Sequence, residues 1–294
     1  MLSIITCTAS ITKTEILRQN IKATIGIEYE FLPFDNSVIN FSLSKVYNLQ
    51  SKKAKYNFIC FVHDDVKFVT HNWGSHLLRY FLNDKNIGLI GIAGSSYKTF
   101  TPSIWSKIPD ELLAANIIQH YKYNTNIAKH LFWKNTHKET YDVVTIDGVF
   151  MATTKEILNQ YSFDERLLDG FHGYDFDFSM QVFQSHKNIV VYDILLEHFS
   201  EGKADNAWLT ACERVSEKWR HKLPAGLHKL NKLERDRLEY AALFVGFRIL
   251  KESESNTAYE LIKYYLKYFR FSFLFMPLLK KRINKNLKSK LTTS

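Results

Sequence analysis

The first third of the chain switches between two periods of apolar and polar positions. The run LSIITCTAS (residues 2–10) is apolar and β-branched, then turns small and polar, which predicts a buried strand ending in a loop at Thr8–Ser10. The next run, TKTEILRQNIKATI, carries apolar residues at helical spacing, with Thr12 or Thr14 placed to cap it. YEFLPFDNS predicts a second strand stopping at Asp35-Asn36, SLSKVYNLQSKKAK a second helix, and NFICFVHDD a third strand that stays apolar up to His63-Asp64-Asp65. Strands that are apolar on both faces and alternate with helices predict an α/β fold, with a mostly parallel sheet covered by helices.

The alternation continues. WGSHLLRYFLND predicts a helix and IGLIGIAGSS a strand that ends in small residues. Residues 97–140 are rich in Trp, Tyr, His and Asn and lack a clean period, with a helix expected around Pro109–Ile118. VVTIDGVFMATT predicts a strand pair or strand-turn, KEILNQY a short helix, GYDFDFSMQVFQSH a helix opened by acids, and NIVVYDILLEHFS a strand ending at His198. After Asp205 the pattern turns helical and stays so. Two units are therefore expected, an α/β domain over 1–205 and a helical extension over 206–294.

Composition narrows the class. Of 294 residues, 46% are hydrophobic, which excludes wholesale disorder, and 11 Gly with 5 Pro exclude a collagen-like or proline-rich chain. The three cysteines, Cys7, Cys60 and Cys212, are too few and scattered for a disulfide framework or a cysteine zinc site, and read as reduced, buried thiols of a cytoplasmic protein. Net charge is +9, but Lys280, Lys281, Arg282, Lys285, Lys288 and Lys290 lie in a tail without acids, and removing those six leaves +3. No signal peptide is expected from the opening residues, and the longest apolar run, near Phe271–Leu279, is far short of the ~20 residues that cross a bilayer.

Chemistry is sought at the carboxyl ends of the strands, where open α/β sheets bind ligands. The strand ends Thr6-Cys7-Thr8, Asp35-Asn36 and His63-Asp64-Asp65 would converge on one rim, which suits a nucleotide-like ligand. In extended geometry His63 and Asp65 point to one side and Asp64 to the other. An imidazole with hard oxygen donors suits Mg²⁺ or Mn²⁺ that also touches a diphosphate. A solvated turn capping the next helix fits the same residues. Asp175 and Asp177 are either helix-start acids favoured by the macrodipole or the place of a general base. His198 becomes a metal ligand only if the His63-Asp64-Asp65 cluster is a metal site nearby.

These segments, in this order and spacing, resemble the family 2 glycosyltransferases of the GT-A fold, most nearly the group related to streptomycin-biosynthesis glycosyltransferase-like proteins. The residues that carry the resemblance are SIITCTAS, LSKVYNLQSKKAKYNFICFVHDDV, IGLIGIAGS, VVTIDGVFMATTKEIL and FDERLLDGFHGYDFDFSMQVFQSHKNIVVYDILLEHFSEG. The resemblance implies a nucleotide-sugar donor, with Thr6, Thr8, Asp35 and Asn36 at the base and ribose and Lys45 and Asn48 near the donor. It makes His63-Asp64-Asp65 the Asp-x-Asp-type element, Asp64 near the ribose or diphosphate, and Asp65, His63 and His198 the metal ligands. Asp175 matches the catalytic aspartate, with Asp177 as the alternative. Two positions depart from the family pattern: His63 stands where the first aspartate is usual, and Tyr174 where glutamate is common.

The implied reaction is a metal-dependent, inverting sugar transfer to a glycan or lipid-linked acceptor, in polysaccharide or lipopolysaccharide synthesis. Trp105, His120, Tyr121, Tyr123, Trp133 and His137 form either an acceptor lid or a packed insertion. The C-terminal helices interleave Tyr264, Tyr265, Tyr268, Phe269, Phe271, Phe273 and Phe275 with Lys and Arg, which suits an anionic membrane surface on the cytoplasmic side, or packing on the catalytic domain or in an oligomer. No nucleic-acid recognition motif is present, so no nucleic-acid partner is expected. A nonenzymatic nucleotide-sugar-binding scaffold and a sugar nucleotidyltransferase are the competing functions.

Overall fold

The computed structural model describes residues 1–121, 127–200, 202, 204–252 and 258–268. Tyr123, Phe269, Phe271, Phe273, Phe275 and the basic tail expected to meet a membrane lie outside the described residues.

The elements follow in chain order: β1 (Leu2–Thr8), α1 (Ile11–Thr24), β2 (Tyr29–Asp35), α2 (Leu43–Lys53), β3 (Phe58–Val62), β4 (Val66–Phe68), α3 (Trp73–Asn83), β5 (Ile87–Gly91), β6 (Ala93–Ser95) and β7 (Tyr97–Lys98). Then come β8 (Leu113–His120), β9 (Ala128–Trp133), β10 (Thr140–Val143), β11 (Thr145–Ile146), β12 (Phe150–Thr154), α4 (Lys155–Gln160), α5 (Tyr174–Phe183), β13 (Lys187–Val191), β14 (Leu196–His198), α6 (Asn206–Lys218), β15 (Ala225–Gly226), α7 (Lys232–Glu252) and α8 (Ala258–Tyr268).

The main sheet has seven strands in the order β10-β13-β5-β12-β3-β1-β2. β1 runs parallel to both β2 and β3, as the opening βαβαβ pattern requires. β12 inserts antiparallel between β3 and β5, so the sheet is mixed beyond its parallel half. Alternation along each strand feeds two cores. Ile5, Ile59 and Phe61 face one together with residues of α2, α5, α6 and α7, whereas Ile4, Cys60 and Val62 face the other together with α1 and α3. Each fully buried side chain of this size contributes about 2–3 kcal/mol. The helices after Asp205 share the first core through Leu209, Leu243, Phe247 and Tyr264. α7 is further tied to the sheet domain by Glu239, whose buried carboxylate accepts the backbone N–H groups of Phe100 at 2.8 Å and Thr101 at 3.0 Å.

Several local expectations are corrected. The cap of α1 is Ser10, whose hydroxyl accepts the Lys13 N–H, and not Thr12 or Thr14, which lie inside the helix. The helix expected at Pro109–Ile118 is a single 3₁₀ turn, Asp110–Leu112, leading into β8. β8 is buried at Leu113–Ile117 and paired on both sides, and this sheet environment overrides the helix preference of its alanines. The runs IGLIGIAGSS and NIVVYDILLEHFS each break into two strands. β5 and β13 stay in the main sheet, while β6 and β14 join a second sheet of order β11-β6-β8-β14-β4.

That second sheet builds the site. β14 runs antiparallel to β4, with His198 opposite Val66, and the Phe199 N–H donates to the Asp65 carbonyl at 2.9 Å. β14 also runs parallel to β8, with His198 opposite Gln119. Residues far apart in the chain, 65, 119 and 198, therefore meet at one sheet end.

Candidate active site

His63, Asp65 and His198 converge. One ligand atom from each lies within 4.8 Å of the others. His198 Nε2 is 3.5 Å from Asp65 Oδ1. Burial alone would raise the Asp65 carboxyl, but hydrogen bonds from His198 and Ser200 outweigh it and hold the group well below the usual carboxylate range. Burial and the facing His198 lower His63, so neutral imidazole, the form that ligates metals, is favoured there.

The orientation of the His198 imidazole follows from its neighbours. Gln119 Nε2 donates to the carbonyls of His120 at 2.9 Å and Ser200 at 2.8 Å, which can only accept. Gln119 Oε1 therefore faces His198 Nδ1, at 3.0 Å, and Nδ1 carries the proton. Nε2 is thereby turned toward Asp65, and giving up its proton there would bare it for a cation, as in metal sites where an outer partner fixes the ligating imidazole. Two imidazoles and a carboxylate are a donor set that fits a divalent cation.

Asp64 turns away from this cluster, as the extended geometry predicts. It accepts the Thr8 hydroxyl at 2.7 Å and lies 3.5 Å from Lys13 Nζ. Asp35 pairs across β1–β2 with Thr8 and is exposed. The other residues expected near the donor have different surroundings. Thr6 is buried within β1, and Lys45 sits 3.7 Å above the Phe41 ring. Asn36 clasps the backbone of Phe41, and Asn48 that of Phe163 at 2.9 and 3.1 Å, so both amides fix loops against the sheet domain.

The two acids of α5 separate. Gly173, at φ +83°, opens the helix in a conformation that a side chain would strain. Asp175 lines a cleft of about 420 Å³ that His63, His198, Asp147 and Trp105 also line. Its carboxylate accepts the N–H groups of Gly148 at 3.2 Å and Phe176 at 2.9 Å. Burial and the nearby Asp147 charge nevertheless push its carboxyl up to about 6. Asp177 is absent from the cleft. It is 1% exposed and is held by Lys218 Nζ at 2.8 Å, Trp219 Nε1 at 2.8 Å and Gln181 Nε2 at 2.8 Å.

The residues 1–205 pattern left Asp147 unassigned. Its carboxylate accepts the Val149 N–H at 2.9 Å and the indole N–H of Trp105, and so fixes one aromatic wall of the cleft beside Asp175. The signal was an Asp-Gly pair between two short strands, a position where a turn is equally ordinary. Lys98, also lining the cleft, is buried and donates to the carbonyl and hydroxyl of Ser103 at 2.7 and 3.0 Å.

Over residues 3–223 the chain matches a family described as glycosyltransferase like. The chain belongs to this glycosyltransferase-like family. The match reaches the family and not the narrower streptomycin-related group. None of the curated proteins matches the chain. Among solved structures, GalNAc-T7 with UDP, GalNAc and Mn²⁺ is similar at 13% identity and a TM-score of 0.52, over 99% of this chain and 58% of that one. The chain thus spans less than two thirds of that relative's length. S. aureus TarS 1–349 is similar at 13% identity and a TM-score of 0.49, over 85% of this chain and 72% of that one. The glycosyltransferase-like fold explains why strand ends and α5 converge on one cleft: this is the GT-A arrangement, with the helices after Asp205 packed against it.

Proposed function

We propose that the chain transfers a sugar, with inversion, from a nucleotide-sugar donor to a glycan hydroxyl, with Asp175 as general base and His63, Asp65 and His198 as the site of a divalent cation. The observation that carries this reading is that His63 and His198, which converge with Asp65, line the same cleft as the raised carboxylate of Asp175. A bound cation would neutralise the charge that develops on the departing diphosphate. Two imidazoles beside one carboxylate favour Mn²⁺ over Mg²⁺, and the Mn²⁺ and UDP of GalNAc-T7 agree with that choice.

The chain's own groups account for the rest. Thr8 and Asp64, with Asp35 on the neighbouring strand, border the donor nucleotide. Asp175, at about pH 6 and above, takes the acceptor proton as the oxygen attacks from the side opposite the leaving group. Trp105, its indole pinned by Asp147, presents an aromatic wall against which a pyranose can stack.

No helix among the described residues is long and apolar enough to cross a membrane. On α8, Tyr259, Ile262 and Leu266 are 58–69% exposed along one stripe, with Lys263 and Lys267 beside it. We assign this stripe, with the basic tail that follows in sequence, to contact with an anionic membrane surface carrying a lipid-linked acceptor. Sedimentation with anionic vesicles and not with neutral ones supports the assignment, and equal partitioning into both contradicts it.

Thermal unfolding against a panel of nucleoside diphosphates, with and without Mn²⁺, tests the donor site. A Mn²⁺-dependent rise with one base, lost in Asp65→Ala, is expected by linkage. A nucleoside triphosphate that releases pyrophosphate would favour a nucleotidyltransferase instead. Metal-dependent binding without turnover on any acceptor would favour a scaffold.

A further inference from the structure

The two positions that depart from the family pattern touch each other. His63 Nε2 lies 2.9 Å from the Tyr174 hydroxyl. The same hydroxyl donates to the Gly148 carbonyl at 3.3 Å, and Gly148 donates its N–H to Asp175 at 3.2 Å. A side chain at position 148 would collide with the Tyr174 hydroxyl, so the contact depends on glycine there. The Tyr174 ring is buried and held edge-on by Tyr47 at 5.5 Å, which leaves the hydroxyl little freedom.

We propose that Tyr174 is a positioning residue that sets the proton and ring orientation of His63, so that Nδ1 is presented to the cation. In this assignment the phenol proton is given to the Gly148 carbonyl, which can only accept, and the phenol oxygen accepts the His63 Nε2–H. The lone pair of His63 is then on Nδ1. The two imidazoles are thereby held through opposite nitrogens: His198 through Nδ1 by Gln119, and His63 through Nε2 by Tyr174. The turn at Asp147-Gly148 anchors both this tether and the carboxylate of Asp175, so it fixes cation ligand and base relative to each other. A glutamate at 174 could not replace the phenol here, because a carboxylate has no proton to give to the Gly148 carbonyl. The inference rests on the reading of His63, Asp65 and His198 as a cation site.

The test is Mn²⁺ binding to the full chain without nucleotide, followed by the EPR signal of free Mn²⁺. Tyr174→Phe keeps the ring and removes the hydroxyl, and outer-partner losses of this kind cost about 10–100-fold in metal affinity. That loss is expected in the otherwise wild-type chain and is expected to vanish in a His63→Ala background, because Tyr174 acts through His63. Equal weakening in both backgrounds would show a general structural role and overturn the tether, as would unchanged or tighter binding by Tyr174→Phe. A wild-type chain that binds no Mn²⁺ would overturn the cation reading itself, and the tether with it. Imidazole ¹⁵N correlation spectra of the wild-type chain give a second readout that needs no variant at Tyr174. They should show His63 protonated at Nε2 and His198 at Nδ1, and a proton on His63 Nδ1 overturns the proposal.

Discussion

Asp175 and Asp177 stand two residues apart on α5 and face opposite environments: Asp175 opens onto the cleft with backbone N–H groups as its hydrogen-bond donors, while Asp177 is sealed against α6 by Lys218 and Trp219. Helical geometry puts positions i and i+2 on opposing faces. One acid is thus free for chemistry and the other joins two helices.

The two substitutions should therefore separate. Asp177→Asn removes a buried charge from Lys218, which keeps Asp164 at 2.9 Å as a second partner. The cost is about 2–3 kcal/mol of stability, with turnover per folded molecule retained. Asp175→Asn should leave the chain folded and abolish turnover. Unfolding melts beside activity corrected for folded fraction check both.

Asp175 also gives a pH signature. Its carboxyl is raised from 3.8 to about 6 in the folded chain, so the folded state binds that proton more tightly than the unfolded one. The associated stability is complete below pH 3.8 and is lost as pH rises through 6. Above that window Asp175→Asn should be more stable than wild type by up to about 3 kcal/mol, and near pH 4 the difference should close. Turnover should fall as pH drops below about 6, because the base is then protonated.

Gln119 holds His198 through Nδ1 and so turns Nε2 toward Asp65. Gln119→Leu should weaken Mn²⁺ binding by about 10–100-fold, since nothing then fixes the imidazole proton. Isothermal titration with Mn²⁺ measures this directly.

Trp105 is predicted to act on the acceptor and not the donor. Trp105→Ala should raise the acceptor KM by about 10-fold or more while leaving the Mn²⁺-dependent binding of the nucleoside diphosphate unchanged. Asp147→Asn, which leaves the indole without its ionised partner, should move in the same direction by a smaller amount.

Much of the frame was legible because it is written in local periodicity. β1, α1, β2, α2 and β3 follow from apolar runs whose alternate residues feed two cores, and α5 and α6 from acid-led or capped helical patterns. What was not legible depends on partners distant in sequence. β8 pairs with β6, β9 and β14, and its alanine-rich stretch becomes a strand only in their presence. The His63–Tyr174 contact spans 111 positions and the Asn48–Phe163 clasp 115. Neither residue pair has a spacing that sequence alone could interpret. Hence Asn48 was expected beside the donor, and Gln119, Asp147 and Tyr174 were not singled out as partners of the chemistry.

Release of nucleoside diphosphate from a panel of nucleotide sugars, with water or glycan as acceptor, reads this chemistry directly. The configuration of the freed sugar is read by ¹H NMR before it mutarotates. Mn²⁺-dependent release with inverted configuration, lost in both Asp65→Ala and Asp175→Asn, is the expected result. Release that persists in Asp175→Asn, needs no divalent cation, or retains configuration would contradict it.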